Sequence, residues 1–340
     1  LAYDLPPGSP RPTTVRAPTS FGTPEAIFLD LPQLVDTTPA FQPYLATNAS
    51  PWPGSLVAYK SPTLDGFLPV VTVKRRAITG RLNAAFFKGP YSVFDMANAL
   101  EVTIQSGTLA SVSDDALFAG ANAFAVESSP GSWEVLQAGI ATLIGPRQYR
   151  LTRLLRGQKG TEVKMGNPTP AGSRFVVLDL GIYPVPIIEA EVGLPFNWRI
   201  GPASRPINDA SYAAQAFTPA GEGLKPYAPD IFKQPYRTAR APGDYLIEWN
   251  RRDRALVADA WDVNEPPMSE ASESYALEIM SGASVIRTLT SSVQSVLYTG
   301  AMQTTDWGAP LGAGQSLSVR LYQISARLGR GARLDRTLFF

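Results

Sequence analysis

Short runs in which apolar and polar side chains alternate recur along the chain, whereas helix-length stretches with apolar residues three and four apart are scarce. A period of two places successive side chains on opposite faces of a strand. The pattern therefore predicts strands at Ala26–Leu31, Ser55–Ser61, Leu68–Lys74, Gly80–Phe87, Ala99–Gln105, Ala123–Glu127, Ser132–Gln137 and Gln148–Leu155. At Arg174–Leu180 the run Phe175-Val176-Val177-Leu178 is apolar without a break, as expected of a strand covered on both faces. Ala116–Ala123 reads as one or two helical turns. The class is mainly β.

Proline divides this pattern. Six prolines between Leu5 and Pro24 restrict φ and deplete donors, which predicts a proline-rich linker over 1–25 leading into a β-rich domain over 26–180. From 181 to 240 prolines recur among aromatics too densely for regular helix, and a proline-rich connecting arm is expected, with one or two added strands near Leu194–Ile200. Such an arm packs over the preceding domain or wraps onto a neighbouring subunit. From 241 to 340 strands are predicted at Asp244–Trp249, Ser274–Ile279, Ser284–Leu289, Ser295–Tyr298, Ser316–Ile324 and Thr337–Phe339, with a tryptophan on the first of them. This spacing resembles a fibronectin type III-like module. The expected architecture is a β-sandwich or barrel-like domain followed by a fibronectin type III-like β-sandwich.

Composition narrows the chemistry further. The 340 residues include no histidine and no cysteine. Serine-histidine-aspartate triads, thiol nucleophiles, structural zinc sites, thiolate-held iron clusters and disulfides are thereby excluded. Carboxylate chemistry, lysine or serine-lysine chemistry and an all-oxygen cation site remain. Thirty basic against 29 acidic residues give a net charge of +1 with no long block of one sign, so no footprint for nucleic acid or anionic lipid is expected. No apolar run is long enough to span a bilayer. The start, Leu1-Ala2-Tyr3-Asp4, lacks an initiator methionine, and residue 1 is expected to be internal to a longer polypeptide.

The candidate motif is Arg156-Gly157-Gln158-Lys159-Gly160-Thr161-Glu162. Its glycines and cations could form an anion-binding nest, although the spacing is not that of a P-loop. The structural reading is favoured: Gly157 and Gly160 permit a tight turn with positive φ, and Arg156 pairs with Glu162 to fix it. For a glycosidase, adjacent acids occur at Asp114 and Asp115, Glu189 and Glu191, and Asp259 and Asp262. Acids in such surroundings are usually solvated or cap turns, and no catalytic pair, metal site or cofactor is nominated. Of six tryptophans, Trp307, in the loop-like Thr304–Gly308, is the best exposed candidate for stacking on a sugar.

Tyr149–Glu162, YRLTRLLRGQKGTE, followed by Phe175–Asp179, resembles the C-terminal region of the large baseplate hub, or tail-tip, protein of gene transfer agents and related long-tailed, siphovirus-like phages. Ala26–Pro32, Pro51–Gly54, Gly107–Ser111, Gly120–Asn122 and Gly131–Gln137 follow in the family's order. Trp249–Arg254, Trp261-Asp262, Glu273 and Tyr275 look like the module that comes next. Gln158 and Lys159 replace two arginines of the family motif. The resemblance implies a virion component at a tail tip, homotrimeric in the particle, assembled with the distal tail protein and other hub proteins. The alternatives are a carbohydrate- or receptor-binding module contacting host cell-surface polysaccharide and, less favoured, a carboxylate glycosidase.

Overall fold

The computed structural model describes residues 20–230, 242–255 and 267–340. Most of the expected leading linker, residues 231–240 of the expected arm, and Asp259, Trp261 and Asp262 lie outside the described residues.

The chain opens with β1 (Glu25–Leu29), β2 (Tyr44–Asn48), β3 (Leu56–Ser61) and β4 (Leu68–Val73). It then builds a closed antiparallel barrel from β5 (Thr79–Leu82), β6 (Leu100–Ile104), β7 (Ala123–Ser129), β8 (Ser132–Gly145), β9 (Gln148–Leu155) and β10 (Arg174–Val177), in the order β10-β5-β6-β9-β8-β7. Closure comes from β10, which pairs with β5 on one side and β7 on the other. Leu100, Val102, Phe124, Leu136, Leu151 and Phe175 fill the interior. The expected helical turn is α1 (Asp114–Phe118), capped by Ser113, whose hydroxyl accepts from Ala116 N.

After the barrel the chain returns to its beginning. β11 (Ile182–Pro184) pairs with β2, while β12 (Phe196–Pro202) lies between β3 and β13 (Ala213–Phe217). Among its described residues the segment expected as a connecting arm therefore carries three strands that complete two sheets of its own chain, and the barrel is an insertion between β4 and β11. Its prolines are compatible with strands because Pro184 and Pro202 are last residues, and β11 is an edge.

These parts stack in layers. One face of the β1-β2-β11 sheet packs on the β13-β12-β3-β4 sheet, with the Phe28 ring 4.8 Å from Trp198 and 4.4 Å from Phe217. The other face, through Ile27, Leu29, Tyr44 and Ala46, packs on Ala125, Trp133, Val135 and Val176 of the barrel exterior. That sandwiched position is why Ala26-Ile27-Phe28-Leu29 is apolar without alternation.

The C-terminal region contains β14 (Tyr245–Glu248), β15 (Tyr275–Ser281), β16 (Ser284–Ser291), β17 (Ser295–Tyr298), α2 (Gly300–Trp307), β18 (Ser316–Ser325), β19 (Gly329–Arg330) and β20 (Leu334–Phe339). β14 pairs with β17, and β16-β15-β18-β20 form the facing sheet, an arrangement like the two faces of a fibronectin type III-like sandwich. Ile247, Trp249, Tyr275, Leu277, Leu317 and Leu321 meet between them. α2 replaces the loop expected around Trp307. Its sequence is a weak helix former, and its caps supply the stop and start signals: Thr299 Oγ1 accepts from Met302 N, and Gly308 ends the helix at φ 86°.

Candidate functional site

The motif begins where β9 ends. Arg156 is fully buried. Its Nε and Nη2 donate to Glu134 Oε1 and Oε2 at 2.5 and 2.9 Å, and Nη1 donates to Asp95 Oδ2 at 3.2 Å and to Phe87 O at 3.0 Å. The guanidinium carbon lies 3.8 Å from the centroid of the Phe86 ring. A planar fork is suited to this bidentate, ring-stacked position. Asp95 is held further by N–H groups of Ala97 and Asn98 and by the Asn98 side chain. Burial pushes its carboxyl up, but the Asn98 and Ala97 hydrogen bonds and the Arg156 charge outweigh this and leave it below the ordinary carboxylate range.

The expected ion pair between Arg156 and Glu162 does not form. Gly157, Lys159 and Gly160 occupy left-handed conformations, with φ of 58°, 55° and 77°, and turn the chain back on itself. Arg156 consequently enters the barrel wall, whereas Glu162 emerges on the far side and pairs with Arg252, just beyond β14. A Cβ at Gly157 would lie 2.6 Å from Glu162 Cα, and one at Gly160 would collide with the Tyr227 ring. Thr161 pins the turn to β8: its hydroxyl accepts from Val135 N at 2.9 Å and donates to Gln158 O at 2.7 Å.

On the outer side of this turn is a cleft of about 670 Å³ between the barrel and the C-terminal sandwich. The motif contributes Lys159, Glu162 and Lys164, the chain after β13 contributes Glu222, Lys225, Tyr227 and Asp230, and the sandwich contributes Arg252, Tyr322, Arg330, Arg333 and Arg336. Lys164 pairs with Glu222 at 2.9 Å and Arg336 with Asp230 at 3.0 Å, and Lys225 also reaches Glu222. Burial raises the Glu222 carboxyl, and Lys164 and Lys225 outweigh this and hold it below its ordinary value. Asp30, at the end of β1, accepts from the N–H groups of Ala220, Gly221 and Glu222 and so fixes that wall. Its burial is the larger influence and pushes its carboxyl up.

Other candidates disperse. Trp307 lies at the end of α2 rather than in a loop, half-buried against the sandwich core, and its indole N–H donates to Tyr298 Oη at 2.8 Å. Asp114 pairs with Arg153 while Asp115 is exposed, and Glu191 pairs with Lys60 while Glu189 pairs with Arg327. Among the described residues no group of three acids is placed to hold a metal ion. Asp95 and Glu134, which sequence reasoning missed, do converge, but both are fully buried on Arg156. Glu134 was visible as a lone charge within the apolar run Trp133-Glu134-Val135-Leu136. Asp95, in the irregular Ser92–Asn98, carried no such signal.

The profile of a family described as Rcc01698-like, C-terminal, matches residues 77–176. The matched span begins just before β5 and ends within β10, so it coincides with the closed barrel and includes Arg156, Gly157, Gly160, Thr161 and Glu162. No curated protein matches the chain.

Proposed function

We propose that this chain is a structural component of a phage-like tail tip or baseplate hub, acting through subunit contacts rather than through catalysis. The observation that carries the reading is the use made of the motif by which the chain resembles tail-tip proteins. Arg156 is a fully buried strut in the barrel wall, Thr161 fastens the turn to β8, and Glu162 reaches the C-terminal sandwich, so these three side chains are committed to structural contacts. Exposed apolar side chains at the distal half of β8, Ile140, Leu143 and Ile144, offer surface for neighbouring subunits. On this reading the partners are the distal tail protein, other hub proteins and further copies of the chain in a trimer.

The test is immunogold electron microscopy of purified particles with antibody raised against residues 20–340. Label at one end of the tail is the expected result. Label on the capsid, or particles that lack the chain altogether, would overturn the proposal.

A further inference from the structure

We infer that the cleft between the barrel and the C-terminal sandwich binds an acidic oligosaccharide, one whose rings carry carboxylate or phosphate groups as well as free hydroxyls. The inference does not depend on the tail-tip reading. It rests on three features of the cleft that ask for different parts of one ligand.

The first is charge. Among the described residues, eight lysines and arginines line the cleft against four acids, an excess of four positive charges in a chain whose net charge is +1. Arg330 also reaches outward to Glu278, which leaves the excess at three when that neighbour is included. Lys88, exposed at the rim, pairs with no carboxylate among the described residues. A concave wall of one sign focuses the field and attracts an anionic ligand.

The second is an orphaned acceptor. Glu162 is 6% exposed, and its Oε2 accepts from no group among the described residues although Oε1 is paired with Arg252. A buried carboxylate oxygen without a donor is costly. That oxygen itself has no water-accessible surface, so it acts as a fixed negative charge in the cleft wall, beside which a purely anionic ligand would be repelled and a hydroxyl-bearing one would not. The third is surface: Tyr91, Tyr227 and Tyr322 line the same space and add phenol tips and apolar ring edges to its charged groups, a mixture that suits a sugar ring. Arg252 and Arg330 lie over Tyr227 and Tyr322, at 5.7 and 4.6 Å from the ring centroids, and are thereby pre-oriented. The volume, about 670 Å³, is that of a small-ligand site.

The experiment is calorimetric titration of the full chain with polygalacturonate and with a phosphomannan, using dextran and a single-stranded oligonucleotide as comparators. Binding of either acidic glycan is expected, weakening by at least roughly tenfold between 50 and 200 mM salt. Whichever glycan binds identifies the anionic group. The exposed rim changes Lys88→Glu and Arg333→Glu, with unaltered circular dichroism, are expected to weaken binding about tenfold together, whereas Arg150→Glu, on the barrel beside Glu101, leaves it unchanged. No binding by either glycan at low salt, equal binding of dextran, binding of the oligonucleotide at least as tight, or indifference to the two rim changes would each overturn the inference.

Discussion

The barrel and the C-terminal sandwich each anchor an arginine–carboxylate cluster, but at opposite depths. In the barrel, Arg156, Asp95 and Glu134 are all inaccessible to water. In the sandwich, Arg287 grips Asp306 with two bonds of 2.7 Å, and Asp306 also accepts from Tyr298 Oη at 2.7 Å, while about a quarter of the Arg287 side chain stays exposed. Water can replace a partner lost from the second cluster and cannot reach the first. The barrel is therefore the region in which one substitution leaves an uncompensated charge, and the sandwich is the region in which the same kind of loss is softened.

The largest expected effect follows directly. Arg156→Ala strands Glu134 and Asp95 without their cation, and loss of about 3–5 kcal/mol is expected, enough to unfold the barrel or abolish its cooperative thermal transition. Arg156→Lys should recover only part, since an ammonium cannot make the bidentate fork. Arg287→Ala should cost much less. Thermal unfolding followed by circular dichroism ranks the three. An Arg156→Ala midpoint equal to that of Arg287→Ala would end the contrast.

The two regions also differed in how far their sequences disclosed them. Alternation located most strands of both, because period two survives wherever one face is buried. It failed at β2, where Tyr44-Leu45-Ala46-Thr47-Asn48 is buried on both faces yet ends in polar residues, at β11, whose partner β2 lies far back in the chain, and at β13, where Ala213-Ala214-Gln215-Ala216-Phe217 is partly exposed and offers one large apolar side chain. Barrel closure through β10 is likewise a long-range event that no local pattern encodes. The turn at Gly157 and Gly160 was legible from its glycines. The partners of Arg156 and Glu162 were not, because ion pairing is decided by which side of a turn each side chain leaves. The basic cleft was hidden for a related reason: its cations come from separate stretches of a chain whose total charge is nearly zero.

Glycine substitution sharpens the comparison at the next size. Gly157→Ala adds both left-handed strain and a Cβ pressed on the Glu162 backbone, whereas Gly308→Ala, at φ 86°, meets open space and adds strain alone. Roughly 1–3 kcal/mol is expected for such strain, with Gly157→Ala at or above the upper end and Gly308→Ala near the lower. Urea denaturation of the two variants measures the difference. Equal midpoints would mean that the barrel turn yields as freely as a helix end.

Acid acts on both clusters in the same direction. Hydrogen bonds from Arg287 are the main reason that the Asp306 carboxyl lies below its ordinary value, with burial opposing and Tyr298 assisting. Asp95 is depressed against its burial. A carboxyl depressed in the folded state gives stability that is complete above the unfolded value near ~3.9 and is lost as the pH falls through the lower folded value, because the unfolded chain takes up the proton first. Stability should therefore decline below about pH 4. Asp306→Asn should remove part of that decline. A variant whose acid transition superimposes on the parent's would exclude Asp306 from it.

The smallest effect concerns the residue that sequence reasoning offered to a sugar. Trp307 joins the sandwich cluster by donating from its indole N–H to Tyr298 Oη, which in turn donates to Asp306. Phenylalanine at this position keeps most of the apolar contact and deletes the donor, so Trp307→Phe should cost about 1 kcal/mol, the usual net value of one hydrogen bond. The loss should appear in the urea midpoint of the sandwich and vanish in an Asp306→Asn background if the three groups act as one network. Titration with acidic glycan should be unaffected, because Trp307 is not among the residues lining the cleft. Full stability combined with lost glycan binding would reverse the assignment: it would return Trp307 to the surface and take the sugar away from the cleft.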